Sequence, residues 1–97
     1  MTQSVRDAQL KSTGYEQKTA FNAAAEAMDT TKINDAHYLL LQAEGGDVRW
    51  RDDGVAPTTT VGMLIAEGQD FWFTGDVKRL SVIGVDGAAI LNASGYK

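Results

Sequence analysis

With 97 residues and a formal net charge of −4, the chain fits one small domain burying roughly two-thirds of its unfolded surface, and it is a poor match for a nucleic-acid backbone or an anionic membrane. It has no cysteine, which excludes a disulfide framework and a thiolate zinc site. No basic start followed by an apolar run marks a signal peptide, and no apolar stretch is long enough for a bilayer, so a soluble protein made in the cytoplasm is expected.

From the N-terminus, residues 1–14 show no sustained periodicity and read as an extended arm or a frayed terminus, ahead of a single β domain over 15–97. Residues 15–22 alternate enough for a strand. The alanine-rich run 23–28 favours helix by propensity, but in an all-β setting it is expected to form a second strand ending near Asp29. Residues 30–35 follow as a turn or a single helical turn.

Three glycine turns then predict three hairpins. Gly45-Gly46 separates 37–44 from 47–52, and two glycines suit a type I′ turn, which needs φ > 0 twice. That register sets Leu41 against Trp50, Ala43 against Val48 and Leu39 against Asp52, sorting apolar from polar faces. Glu67-Gly68 would pair Leu64 with Phe71 and Met63 with Trp72. Asp86-Gly87 would pair Ile83 with Ile90 and Val82 with Leu91. The last two hairpins are apolar on both faces, so each is expected to be covered twice, by another layer or by a neighbouring subunit. The fold class is therefore all-β: an antiparallel β-sandwich or small barrel built from successive hairpins.

Catalytic chemistry is not visible. His37 is the only histidine, it opens a strand, and no nucleophile elbow, phosphate-binding loop or dinucleotide fingerprint accompanies it. Asp47, Asp52, Asp53 and Asp86 lack calcium-loop spacing and read as turn residues that satisfy backbone N–H groups. No enzyme activity, cofactor or metal is expected. Arg49 and Arg51 flank Trp50, but strand alternation puts the indole on the opposite face, which argues against a nucleic-acid stacking platform. Trp50 is expected to be a core residue packed on Leu41, with the arginines solvated or paired to Asp53, Glu44 or a subunit neighbour. Phe71, Trp72 and Phe73 must divide between two faces, so either Trp72 or the phenylalanine pair is left, with Met63, for an interface or a sugar.

The stretch Arg49-Trp50-Arg51-Asp52-Asp53-Gly54-Val55-Ala56-Pro57-Thr58, followed by Val61-Gly62, Leu64, Gly68, Gly75, Leu80 and the closing Ala89-Ile90-Leu91-Asn92 segment, resembles small β-sandwich virion structural proteins of tailed bacteriophages. The likeness covers residues 37–97, and the N-terminal third matches only loosely. The resemblance implies a non-enzymatic capsid decoration or cement protein, located in the virion and made in the host cytoplasm. Its implied partners are itself, as a homo-oligomer, and other virion proteins, above all the major capsid protein, with neither nucleic acid nor membrane. A tail, adaptor or fibre component, or a lectin-like binding module, is the alternative. No catalytic residue is carried over.

Overall fold

The computed structural model describes residues 9–97. Eight strands run as β1 (Ser12–Thr19), β2 (Glu26–Ala27), β3 (Tyr38–Glu44), β4 (Val48–Arg51), β5 (Met63–Ile65), β6 (Asp70–Phe73), β7 (Ser81–Gly84) and β8 (Ile90–Tyr96). A single helical turn, α1 (Thr30–Ile33), precedes β3, and a 3-10 turn at Val77–Arg79 precedes β7. Two antiparallel four-stranded sheets result, with orders β1-β8-β3-β6 and β2-β7-β4-β5. The chain is an all-β sandwich, as expected.

The three expected hairpins are not formed. β3 lies in the first sheet and β4 in the second; β5 and β6 divide likewise, as do β7 and β8. Each short turn is an arch that carries the chain across the core. Leu41 therefore pairs with Phe71 and Ala93 rather than Trp50, and Trp50 pairs with Met63 and Val82. Trp72 is in register with Leu40, not Met63, and Leu64 with Arg49, not Phe71. The Ile83–Ile90 and Val82–Leu91 pairs are likewise absent, since Ile83 faces Arg49 and Leu91 faces Ala43 and Lys18.

Local geometry supplies the reason. Gly45 has φ +76°, but Gly46 does not enter the left-handed region, so the dipeptide cannot make a type I′ turn. Gly46 is instead buried, and a Cβ there would lie 2.8 Å from Asp86 Oδ1 and 3.2 Å from the Ala89 Cβ. The pair is glycine because two arches touch at this point. Asp47 fastens the cluster: its carbonyl accepts from Val85 N at 2.9 Å and its carboxylate from Glu67 N at 2.8 Å. One residue thus joins all three arches.

Alternation still fixes which side chains point inward, because an arch and a hairpin share it. Leu39, Leu41, Ala43, Val48, Ile65, Phe73, Val82, Leu91 and Ala93 fill the core. Burying side chains of this size contributes roughly 1.5–3 kcal/mol each for the larger ones. Trp50 is half-buried at the core margin, stacked on Phe71 with ring centroids 5.5 Å apart and edge-on to Phe73 at 5.3 Å. It packs against the buried cluster that includes Leu41, but across the core rather than as a ladder neighbour in one hairpin. Ile83 is buried outside this central cluster.

The N-terminal third differs in its boundaries. Met1–Ala8 of the expected arm lie outside the described residues, while Ser12–Gly14 belong to β1, which pairs along β8. Lys11 and Lys97 exchange two backbone hydrogen bonds of 3.0 Å and prolong that ladder. The alanine run gives only β2, two residues paired to Val82 and Ser81, so its helical propensity yields to sheet pairing. α1 starts at Asp29, whose carboxylate accepts from Thr31 N, and stops at Asn34 with φ +47°. It sits over facing glycines, Gly14 and Gly95, where a Cβ would strike Lys32 O and the Ala36 Cβ respectively.

β1 turns two charges inward. Glu16 and Lys18 are both buried and pair at 2.9 Å; Lys18 also reaches Glu26 at 3.2 Å, and Glu16 accepts from Asp29 N at 2.8 Å. Each charge is thereby satisfied.

Because the Asp47 carboxylate ties the first two arches together, Asp47→Ala is expected to cost about 1–2 kcal/mol in urea melts, the scale of a lost charge-assisted hydrogen bond. Asp47→Asn, which keeps an acceptor oxygen, should lose less than half of that. Equal losses in both variants would show that the carboxylate does not hold the turn.

Candidate functional site

The stretch with the strongest sequence signature builds one loop. Among the described residues β4 and β5 are the only consecutive strands that share a ladder, and residues 52–62 connect them. Arg49 leans from β4 across the loop, donating from Nε to Thr59 O at 3.2 Å and from Nη1 to Gly62 O at 2.8 Å. Arg51 makes a two-pronged pair with Asp53, at 3.0 and 2.5 Å. Pro57 is buried beneath, and Thr58 closes a tight turn: its N donates to Val61 O, and its Oγ1 accepts from Val61 N at 3.0 Å. Gly54 holds φ +87°, as its place after Asp53 requires.

These residues are structural in their contacts. Arg49, which the sequence left solvated or ion-paired, is spent on two backbone carbonyls. Arg51 takes the Asp53 partner that the sequence offered it. The Asp53 carboxyl is held down at about 2, chiefly by the hydrogen bond from the Arg51 side chain. Asp86 accepts from Ala88 N and Asp47 from Glu67 N, so both serve as turn acceptors. His37 is exposed and contributes its backbone N–H to Tyr96 O at 2.8 Å. Among the described residues no three His, Asp or Glu side chains group where they would hold a metal ion.

What the loop presents is an apolar margin. Val61 and Met63 border a shallow depression that also takes in Trp50, Arg51, Asp52, Asp53 and Gly62. Met63 is 60% exposed and Leu64 47%, and among the described residues β5 has a neighbour on one side only. Val55 and Val61 in the adjoining loop are exposed as well.

The aromatic run divides cleanly. Phe73 is 1% exposed and Phe71 packs against the core, so the phenylalanine pair is not available to a partner, contrary to one of the two expected arrangements. Trp72 is the exposed member, at 47%, on the outer face of β1-β8-β3-β6. Met63 belongs to the other sheet, so the expected set Met63, Phe71, Trp72, Phe73 does not form one patch.

The outer face carrying Trp72 holds a feature that sequence reasoning missed. Gln17, Asn92, Gln42 and Asp70 come from four strands and form one cross-strand row. Asn92 is its centre: Oδ1 accepts from Gln17 and from the Tyr15 hydroxyl at 2.6 Å, while Nδ2 donates to Glu44 at 2.8 Å and Gln42 at 3.3 Å. Gln42 donates onward to Asp70 at 3.1 Å. Strand alternation alone would have placed each outward, but only the sheet order aligns them.

Compared with protein-family models, curated proteins and solved structures, the chain matches none.

Gly54→Val is expected to cost about 1–2 kcal/mol, the penalty for a Cβ in the left-handed region. A loss under half a kilocalorie in denaturant melts would contradict it. For the Arg51–Asp53 pair, folding lowers the Asp53 pKa, so its contribution is complete above the ordinary value of 3.8 and is lost as the pH falls through about 2. Side-chain carboxyl NMR should show Asp53 titrating near the lower value in the native protein and near the upper one in Arg51→Ala. Titration near 3.8 in both would show that the pair does not form in solution.

Proposed function

We propose that this chain is a non-enzymatic virion structural protein of a tailed bacteriophage, a capsid-associated decoration protein that packs against copies of itself and against capsid protein. The observation that carries the reading is the free β5 edge, where Met63 and Leu64 stand exposed beside Val61. Strand edges that stay solvated are normally blunted by charge, proline or a bulge. β5 has no charged residue within Met63–Ile65, and the loop before it adds the exposed Val55 and Val61. An edge of this kind suits pairing with another chain, by backbone hydrogen bonds and by side-chain burial.

The resemblance of residues 49–58 to phage virion proteins supports the same reading. So does the contact pattern of that stretch, in which Arg49, Arg51 and Thr58 stiffen a loop instead of forming a reactive centre. A rigid loop beside an apolar edge presents a preorganised surface, which lowers the ordering cost of assembly. Tail, adaptor and fibre positions would use the same surface.

Light scattering over a wide concentration range, alone and with capsid protein added, is expected to show assembly. Met63→Lys with Leu64→Glu should abolish it, while the melting free energy stays within about 0.5 kcal/mol of the native protein. A native protein that stays monomeric and shows no affinity for any virion component would overturn the proposal.

A further inference from the structure

We infer that the outer face of the β1-β8-β3-β6 sheet binds a neutral oligosaccharide, a role separate from assembly through β5. The first ground is the arrangement of rings and polar groups. Tyr15, Ser94, Leu40 and Trp72 form one cross-strand row, and Gln17, Asn92, Gln42 and Asp70 form the row beside it. The two aromatic side chains stand at opposite ends of their row, three strand spacings or ~14 Å apart. Between them the floor is low, with serine and a half-buried leucine. A shallow depression there is lined by Tyr15, Leu40, Gln42, Asp70, Asn92 and Ser94. Its length accommodates sugar units that lie on the ring faces and direct hydroxyls to the polar row.

The second ground is preorganisation. The Tyr15 hydroxyl is fixed by Asn92 at 2.6 Å, and Trp72 packs on Tyr96 with centroids 5.4 Å apart. Both rings stay largely exposed, at 53% and 47%. Aromatic faces carry negative quadrupole density, which suits the polarised C–H face of a pyranose. A site with a few fixed polar groups amid apolar area is the usual form of a small-ligand surface.

The third ground is charge and hydrogen-bond capacity. The outward positions of these strands include Glu44 and Asp70 but no lysine or arginine, which disfavours phosphate, nucleic acid and acidic glycans. Among the described residues the second carboxylate oxygen of Asp70, the Gln17 amide oxygen and the Ser94 hydroxyl make no side-chain hydrogen bond. Covering the row with an apolar protein surface would strand these groups, whereas a polyhydroxylated ligand offers both donors and acceptors. The occupant is therefore a sugar rather than a second copy of this chain.

The test is a printed array of neutral and acidic glycans, followed by calorimetry with the best neutral oligosaccharide. The full chain should bind a neutral glycan with Kd below about 1 mM. Trp72→Ala and, separately, Tyr15→Ala should each weaken that binding about tenfold or more while the thermal melt stays near native. The β5 variant Met63→Lys should bind sugar normally, so failure of the assembly reading and failure of this one are distinguishable. Binding to no neutral glycan, binding to acidic glycans only, or native affinity retained in both ring variants would overturn the inference. Loss of oligomer mass in Trp72→Ala with sugar binding unchanged would also overturn it, and would make the face a self-contact.

Discussion

Each short turn in this molecule must carry the chain across the core, and the rest of the architecture follows from that constraint. Neighbours in sequence meet through side chains and not through hydrogen bonds. The two sheet orders then match strand for strand, β1 over β2, β8 over β7, β3 over β4 and β6 over β5. With one exception, at β4 and β5, every ladder joins strands that are distant in sequence. Loops must close before such contacts form, which makes folding slow relative to a meander of hairpins. Asp47 acts where three chain crossings converge, through its carbonyl and its carboxylate.

The two lateral margins of the sandwich are built differently. At the β1/β2 margin, Lys18 bridges the sheets by pairing with Glu16 on its own strand and Glu26 on the other. Inward charge of this kind discourages edge-to-edge association. At the β5/β6 margin the inner residues are aromatic and aliphatic, and Met63 and Leu64 are exposed. One margin is sealed by charge and the other is apolar, so the two ends of the sandwich differ in chemistry.

Much of the fold is legible in the residues. The alternation of Leu39, Leu41 and Ala43 identifies the inner face of β3, and the turns at Gly45-Gly46, Glu67-Gly68 and Asp86-Gly87 fall where glycine predicts them. What alternation cannot distinguish is a hairpin from an arch, because both set the same side chains facing each other. The discriminating fact at Gly46 is a contact with Ala89, more than forty positions along the chain, and no local pattern contains it. The candidate surface divides in the same way. An exposed member among Phe71, Trp72 and Phe73 is readable, but which one is exposed depends on the sheet that β6 joins. The row Gln17, Asn92, Gln42 and Asp70 is scattered along the sequence, and only the order β1-β8-β3-β6 assembles it. That Glu16 and Lys18 turn inward is not legible either, since an edge strand carries no sequence mark of which face is inner.

The ladder between β1 and β8, continued by the two hydrogen bonds between Lys11 and Lys97, places the first and last described strands side by side. A peptide link between these two positions would span a short gap. The chain could then be opened elsewhere, at an exposed turn such as Glu67-Gly68. In such a circular permutant the longest-range ladder of the sandwich becomes its most local one, with no side chain altered. Refolding rates of the native and permuted chains would then measure how much of the barrier is topology alone.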